Sequence, residues 1–202
     1  MRIFASDQQM QEWSCRVLIN LMVGSPENTS ACGAEGGCSA VVEGMRSFRR
    51  DRDVVYSGIR ALLNLTCNDS TNRARCGAAG ACRVVVCALK DFPKDRDMQL
   101  FSSVVVDNLS RDTENRSKLS LEGAVGAIVA AMRAFTEDRD IQFQGCRAIY
   151  FLTGGMCASE ARAAVRSAMR HFPHDRGIME EAADALGLSV QYTSAIANKG
   201  KR

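Results

Sequence analysis

Hydrophobic residues recur along much of the chain every three or four positions, which is the spacing of one face of an α-helix. After Asp51 this stripe leaves Arg60 and Asn64 on another face, and its members are Val54, Ile59, Ala61, Leu62 and Leu65. A second apolar run starts near Gly80 and comprises Val84, Val85, Ala88, Leu89 and Phe92. The pattern predicts an all-α chain with two main helices in each stretch of this kind.

Polar residues mark the predicted helix ends. Asp51 precedes the first stripe, where a carboxylate can accept hydrogen bonds from free helix amides, and Asp53 adds favourable charge in the first turn. Pro93 and Pro173 fall between helices and Pro26 falls in a loop, so no helix interior is interrupted.

A Phe-x-x-Asp motif divides the chain into similar units. It occurs five times, at spacings of 44, 44, 43 and 37 residues: Phe4/Asp7, Phe48/Asp51, Phe92/Asp95, Phe135/Asp138 and Phe172/Asp175. Asparagine stands thirteen residues after the first three of these aspartates, and Asp-Arg sequences follow four of the five phenylalanines. We expect these joints to cap helices and to form ion pairs between units.

A second set of markers has the same period. Three asparagines precede three glycines by eight residues, as the pairs Asn28/Gly36, Asn72/Gly80 and Asn115/Gly123. The next unit lacks about six residues near Gly154 and Gly155. Because one such unit cannot bury its apolar face alone, the units must stack.

We therefore predict one repeat domain over residues 1–193, followed by a basic C-terminal tail over 194–202. The predicted units are 7–50, 51–94, 95–137, 138–174 and a partial unit 175–190. The first residues align with a helix end of the later units. Three alternatives follow for the first helix: it is covered by sequence outside this chain, it caps itself, or it pairs with another copy, so that uncapped terminal repeats support self-association.

Composition excludes several classes of protein. The 202 residues are 46% hydrophobic and 24% charged, which is typical of a folded globular chain. No apolar run approaches the roughly 20 residues of a membrane span, and the first ten residues do not resemble a signal peptide. We expect an intracellular protein, located in the cytoplasm, with the nucleus as the alternative.

The sequence around the cysteines and histidines argues against a catalytic or metal-binding role for them. The nine cysteines contain no Cys-x-x-Cys pair, and we expect them to be buried apolar residues in a reducing compartment. His171 and His174 are the only histidines, and their place at a joint indicates exposed linker residues. We predict no enzyme, no cofactor and no metal site.

The unit resembles the armadillo repeat. The resemblance rests on Asn-x-x-x-Cys/Leu-x-x-x-Gly, a Val/Ile/Ala-rich helix, Asp-Arg-Asp, and a helix that ends Ala-Leu-Leu-Asn-Leu. The resemblance is strongest to the divergent armadillo arrays of protist and algal proteins and of leucine-rich-repeat kinases. It implies a right-handed α-α superhelix, an armadillo-like solenoid of four to five repeats of about 43 residues. The family's third helices line a concave groove that binds protein partners.

The resemblance also implies which residues bind. In the importin-alpha branch, a tryptophan and an asparagine four residues later line the groove. Here the asparagine position is held by Asn20, Asn64 and Asn108, and the tryptophan position by Arg16, Arg60, Val104 and Arg147. The groove thus looks closer to the basic groove of beta-catenin, which takes acidic partners. Apolar anchors are expected one turn earlier, at Tyr56, Leu100 and Phe143.

The function predicted is a protein-interaction scaffold that binds an extended, acidic partner segment. Other interpretations of the same residues stay open: the arginines as a solvated face or as partners of acids such as Glu12, and the asparagines as bonds to a helix end or turn. Nucleic-acid binding is the alternative from another class, since 21 of the 26 basic residues are arginine. The interleaved acids and the scarcity of aromatic residues argue against it. A structural fragment of a larger armadillo or kinase-linked protein is a further alternative.

Overall fold

The structure, a computed structural model, describes residue 1 and residues 3–188. The predicted basic tail 194–202 lies outside the described residues, as do the last two residues of the predicted partial unit. The described part contains twelve α-helices and no strand: α1 (Gln8–Met22), α2 (Pro26–Ala34), α3 (Gly37–Ser47), α4 (Arg52–Thr66), α5 (Ser70–Ala78), α6 (Ala81–Asp91), α7 (Arg96–Ser110), α8 (Thr113–Glu122), α9 (Ala124–Ala134), α10 (Arg139–Thr153), α11 (Ser159–His171) and α12 (Arg176–Ala185).

Each long helix begins directly after a joint aspartate. Helices α1, α4, α7 and α10 have 15 residues each, and α12 has ten described residues. The predicted cap is confirmed at Asp51, whose carboxylate accepts hydrogen bonds from the backbone N–H groups of Asp53 and Val54. The same carboxylate cap occurs at all five joints.

The second main helix begins after a glycine in three units. Gly36, Gly80 and Gly123 have φ values of 83°, 95° and 80°, a left-handed conformation that a residue with a Cβ rarely adopts. The predicted start of a helix near Gly80 is confirmed. Helices α3, α6, α9 and α11 end at the joint phenylalanines, whose N–H groups bond back to the last turn.

A short helix precedes the second helix in the complete units, so that each has three helices instead of the two main ones that periodicity predicted. These short helices are α2, α5 and α8, with nine or ten residues each. The unit after α10 lacks one, and residues 154–158 connect α10 directly to α11. The six missing residues account for this loss.

The helices stack in layers. The long helices α1, α4, α7, α10 and α12 pack side by side, while α3, α6, α9 and α11 pack behind them. Large apolar side chains such as Leu62, Ile128 and Ile149 are fully buried between these layers. The fold is the predicted all-α class, a solenoid of stacked helical units.

The joints also connect neighbouring units, as predicted. Arg52 lies 2.7 Å from Asp95, and the equivalent distances from Arg96 to Asp138 and from Arg139 to Asp175 are 2.6 Å. At the first joint, Gln8 replaces arginine and donates to Asp51. One carboxylate therefore caps its own helix and accepts a bond from the preceding unit.

Asparagine–glycine pairs connect the short helices. Asn72 Nδ2 donates to the Thr29 carbonyl at 2.9 Å, and Asn115 Nδ2 donates to the Arg73 carbonyl at 2.8 Å. A Cβ on Gly77 would lie 1.5 Å from Asn115 Oδ1, so only glycine leaves room for this amide. The asparagine series found in the sequence is thus a structural ladder.

All nine cysteines are free thiols, and the expected burial is found at six of them. Cys32 and Cys87 are partly buried, and Cys67 is exposed because it follows the last turn of α4. The expectation of burial was therefore wrong for Cys67. His171 and His174 are exposed, as predicted for linker residues.

Candidate binding groove

All nine predicted binding residues lie on the long helices α1, α4, α7 and α10. The arginines and asparagines occupy positions nine and thirteen after the joint aspartate, off the stripe that packs against the second layer. Residues at the same position of adjacent stacked helices form a row across the layer. The structure therefore presents two rows on one face, which we call the groove face.

The arginine row is open on α1 and α4. Arg16 is exposed, lies 3.1 Å from Glu12 and places its guanidinium 4.6 Å from the centre of the Trp13 ring. Arg60 is exposed, lies 6.0 Å from the Tyr56 ring, and forms no ion pair with any residue described by the structure. The pairing with Glu12 that the sequence left open is found for Arg16.

The asparagine row is partly used inside the fold. Asn64 Nδ2 donates to the Ile19 carbonyl at 3.5 Å, and Asn108 Nδ2 donates to Thr66 Oγ1 at 3.3 Å. Both bonds reach the C-terminal part of the preceding long helix: Asn64 bonds a backbone carbonyl that also accepts the Val23 N–H, and Asn108 bonds a side-chain hydroxyl. The helix-end alternative is therefore found for these two residues, and their amide oxygens accept no bond from the described residues. Asn20 is exposed on α1.

Between α7 and α10, a buried acid forms ion pairs with the arginine of the row and with one other arginine. Arg147 Nε lies 3.1 Å from Asp107 Oδ2, and Arg111 Nη2 lies 3.3 Å from Asp107 Oδ1. The Asp107 side chain is only 3% exposed. Burial raises the pKa of this carboxyl, and the two arginines offset part of the rise. Arg147 is thus held by the protein itself.

Glu181 on α12 extends this cluster. Burial raises its pKa above the ordinary glutamate value, while Arg147 opposes the rise and Asp107 adds to it. Arg111 also places its guanidinium 4.3 Å from the Phe151 ring. The groove face therefore has one exposed row arginine without an ion pair among the described residues, Arg60, beside the Arg16–Glu12 pair of α1, and it is charge-balanced over α7, α10 and α12.

Two of the three predicted apolar anchors lie beside arginines of the joints. Arg52 is 5.0 Å from the Tyr56 ring, and Arg139 is 5.7 Å from the Phe143 ring. Tyr56 also packs against Phe101, with ring centres 6.0 Å apart. Leu100 is partly buried. Tyr56 and Phe143 keep part of their surface exposed beside the cationic groups.

Sequence reasoning missed several residues of this face. Trp13 and Phe101 stand six residues after their joint aspartates, one position beyond the predicted anchors. Asp107 was detectable, because it is a lone acid at the end of the apolar run Val104-Val105-Val106 on a predicted buried helix. Its pairing with Arg147 was not detectable without the packing of α7 on α10.

The described residues were also compared with the patterns of a metal site and of a membrane-spanning helix. No cluster of His, Cys, Asp and Glu side chains within them is placed to hold a metal ion. None of the described helices is long and apolar enough to cross a membrane. Among the arginines of the second-layer helices, Arg46 pairs with Glu43 at 2.7 Å, whereas Arg83 and Arg170 are exposed and form no ion pair with any described residue.

Known proteins resemble this chain at the level of family and fold. Three solved structures, each described as an engineered protein, match with TM-scores of 0.72, 0.71 and 0.70 at 20%, 22% and 23% identity. The matches cover 96%, 92% and 96% of this chain and 82%, 75% and 48% of the respective engineered chains. No curated protein matches the sequence. The family described as LRRK2 ARM repeat matches residues 1–160, so the chain belongs to that armadillo family.

Proposed function

We propose that this protein binds an extended, acidic segment of a partner protein along the groove face. The open row formed by Arg16 and Arg60 is the observation that carries the proposal, together with membership in an armadillo family. Both guanidinium groups are exposed at the same position of adjacent helices, and such groups offer several N–H donors to a carboxylate.

The spacing of the helices restricts the partner's sequence. Packed helices lie roughly 8–10 Å apart, and an extended chain advances about 3.3 Å per residue. One helix-to-helix step thus corresponds to about three residues of the partner. We propose acidic side chains at every third position, so that consecutive carboxylates reach Arg16 and Arg60.

The asparagines and aromatic residues complete the proposed site. Asn20 and the free amide oxygens of Asn64 and Asn108 would bond the partner's backbone, which is the part of an extended peptide that does not depend on sequence. Tyr56, Leu100 and Phe143 would contact apolar side chains between the acids. Arg147 would add a fixed donor while it remains bound to Asp107.

A reducing location is part of the same proposal. All nine cysteines are free, and six of them are buried. This usage suits the cytoplasm or the nucleus, where thiols stay reduced.

Binding of defined peptides tests the acidic segment. A labelled peptide with glutamate at every third position is titrated with the protein at several salt concentrations, and a matched lysine peptide serves as the control ligand. We expect binding of the glutamate peptide only, weakening as salt rises because exposed charges are screened.

A double charge reversal tests the residues. Arg16→Glu with Arg60→Glu should weaken binding by at least about tenfold, since it replaces two attractive contacts with repulsive ones. The matched control is Arg83→Glu with Arg170→Glu, which makes the same change of charge at exposed positions of α6 and α11. Equal loss in both pairs would reject the groove and leave only a non-specific effect of net charge.

A further inference from the structure

Two buried thiols meet where the first unit packs on the second. Cys38 is the second residue of α3 and is 2% exposed, and Cys76 lies on α5 and is 0% exposed. Their Sγ atoms are 2.9 Å apart, and the Cys76 S–H donates a hydrogen bond to the Cys38 sulfur. A further approach of about 1 Å would bring the two sulfur atoms to the length of a disulfide bond.

The next unit shows that this pair is not a general requirement of the repeat. Cys82 on α6 is equivalent to Cys38, and Leu119 on α8 is equivalent to Cys76. Both Cys82 and Leu119 are buried, so the equivalent positions hold one thiol and one apolar side chain. Packing at this place therefore needs only two buried apolar groups, and a thiol on both sides is additional to that need.

The hydrogen bond divides the two thiols into an acidic and a non-acidic one. The bond from Cys76 is the main cause of the lowered pKa of Cys38, and Arg75 lowers that pKa further while burial opposes it. The same bond and burial raise the pKa of Cys76. At Cys82, whose equivalent neighbour is Leu119, burial raises the pKa to about 11. Because a thiolate is the reactive form, Cys38 is the nucleophile of the pair.

We propose that Cys38 and Cys76 form a reversible disulfide bond when a peroxide reaches this interface. The Cys38 thiolate attacks one oxygen of hydrogen peroxide, the O–O bond breaks, and a sulfenic acid and hydroxide form. The Cys76 sulfur then attacks the Cys38 sulfur, which forms the S–S bond, and the sulfenic hydroxyl group leaves as water with the Cys76 proton. Two electrons thus pass from the thiols to the peroxide, and a small thiol returns them by exchange.

The bond would lock the contact between the first two units. It joins α3 to α5, whose helices already pack together. The same interface contains the 2.9 Å bond from Asn72 Nδ2 to the Thr29 carbonyl, and the Cys38 sulfur lies 3.9 Å from the Asn72 carbonyl oxygen. A cross-link restricts the unfolded chain, so the oxidised protein should resist unfolding more than the reduced one. This inference does not rest on binding at the groove face.

Thiol labelling after exposure to hydrogen peroxide tests the bond. Every protein compared carries Cys67→Ser, because Cys67 is exposed and can form disulfides between molecules. The treated protein is unfolded, and its remaining thiols are alkylated and counted by intact-mass spectrometry. We expect two thiols fewer than before treatment, with no dimer, and dithiothreitol should restore both. An unchanged number of thiols, even after exposure long enough for local opening of the interface, would overturn the proposal.

Matched single substitutions identify the pair. Cys38→Ala and Cys76→Ala should each abolish the loss of two thiols. Cys32→Ala and Cys82→Ala should leave that loss unchanged, although each also removes a cysteine from the first two units. Circular dichroism checks that every variant keeps its helical content. Loss of two thiols that persists in Cys38→Ala, or that disappears in Cys32→Ala, would overturn the assigned pair.

Leu119→Cys tests whether the position itself is sufficient. It places a thiol at the position that faces Cys82, as Cys76 faces Cys38, so peroxide should then remove four thiols instead of two. Removal of only two would contradict the argument from equivalent positions.

Thermal unfolding measures what the bond does to the protein. Peroxide should raise the unfolding midpoint of the Cys67→Ser protein by about 5–10 °C, and dithiothreitol should reverse the rise. Cys76→Ala in the same background should show no rise. An unchanged or lower midpoint in protein whose disulfide has formed would overturn the locking of the two units.

Discussion

The two halves of the long-helix layer use the same repeat positions differently. On α1 and α4 the position nine residues after the joint aspartate holds Arg16 and Arg60, which are exposed on the groove face. On α10 the same position holds Arg147, which is bound by the buried Asp107 of α7. A repeated residue therefore keeps its location along the stack while its availability to a ligand changes with its neighbours.

The short helices differ between the same two parts of the molecule. Helices α2, α5 and α8 are connected by asparagine side chains that fit against glycine. The last unit has lost its short helix, and α8 has no successor among the described residues. The regular part, the units that contain α2, α5 and α8, is stabilised by these asparagine side chains, and their close packing against glycine leaves no room for larger residues. The last part, the unit after α10, is stabilised by the charged cluster and by its apolar core.

The largest effect is expected in the regular part, from Gly77→Ala. The added Cβ would lie 1.5 Å from Asn115 Oδ1, so the buried asparagine must move and lose its 2.8 Å bond to Arg73. We expect a loss of about 3 kcal/mol in unfolding free energy, from overpacking and an unsatisfied amide. Urea denaturation followed by circular dichroism measures it.

Gly126→Ala is the matched control for that change. Gly126 lies inside α9, and no atom lies within 4 Å of the place that an added Cβ would occupy, so alanine should be neutral or stabilising by up to about 1 kcal/mol. Similar losses of unfolding free energy for both variants would mean that the asparagine–glycine pairs do not stabilise the units that contain α2, α5 and α8.

Asp107→Ala tests the charged cluster of the second half. It leaves Arg111 and Arg147 facing each other without their shared carboxylate, and both are only about one-third exposed. We expect a loss of about 2 kcal/mol, less than for a fully buried pair because both guanidinium groups reach water. Arg60→Ala, on the open half, should change stability by less than about 0.5 kcal/mol. Equal effects would remove the distinction between the two halves.

The acids of the cluster and of the joints should respond to pH in opposite directions. Burial raises the pKa of Asp107, so its contribution to stability is present at low pH and is lost as pH rises through that pKa. At Asp95, burial also acts to raise the pKa, but hydrogen bonds from Met98 N–H and Arg52 outweigh it and lower the pKa. The stability that Asp95 contributes is present above the pKa that this carboxyl has in the unfolded chain. It is lost as pH falls through the lowered pKa of the folded state.

Two isosteric variants measure this difference by urea denaturation across the acid range. Asp107→Asn should gain stability relative to wild type as pH rises, because it removes a group that must ionise while buried. Asp95→Asn should lose stability relative to wild type over the same change, although asparagine still caps the helix. The same slope for both variants would contradict the assigned pKa directions.

Smaller effects than those at Gly77 and Asp107 are expected from the asparagine row. Asn64→Ala and Asn108→Ala each remove one long hydrogen bond to the preceding helix, at 3.5 and 3.3 Å, and should cost about 0.5–1 kcal/mol. Asn20→Ala should cost less, because Asn20 has no such bond among the described residues. A larger loss at Asn20 than at Asn64 would contradict this order of effects.

Much of the architecture was readable from periodicity alone. The Phe-x-x-Asp joints located the starts of the long helices, and Asp51 was identified as a cap from its place before an apolar stripe. Local chemistry sufficed there because a helix needs an acceptor at its first amides wherever it lies. The short helices were not separated from the second helices, since α5 is brief and carries few apolar residues.

The candidate site was less predictable. Arg16, Arg60 and Arg147 look equivalent along the chain, yet only the packing of α7 against α10 brings Asp107 to Arg147. The same limit applies to Trp13 and Phe101, whose positions on their helices are known but whose exposure depends on the adjacent helix.

Helix positions, caps, the repeat period and the armadillo family follow from the amino-acid order, because each depends on contacts within a few residues or on a pattern repeated along the chain. Tertiary structure alone decides which of these arginines bind an acid of a neighbouring helix and which asparagines connect units. Those properties depend on the neighbouring helix, whose facing residues lie about 40 positions away in sequence and are set by how the units stack.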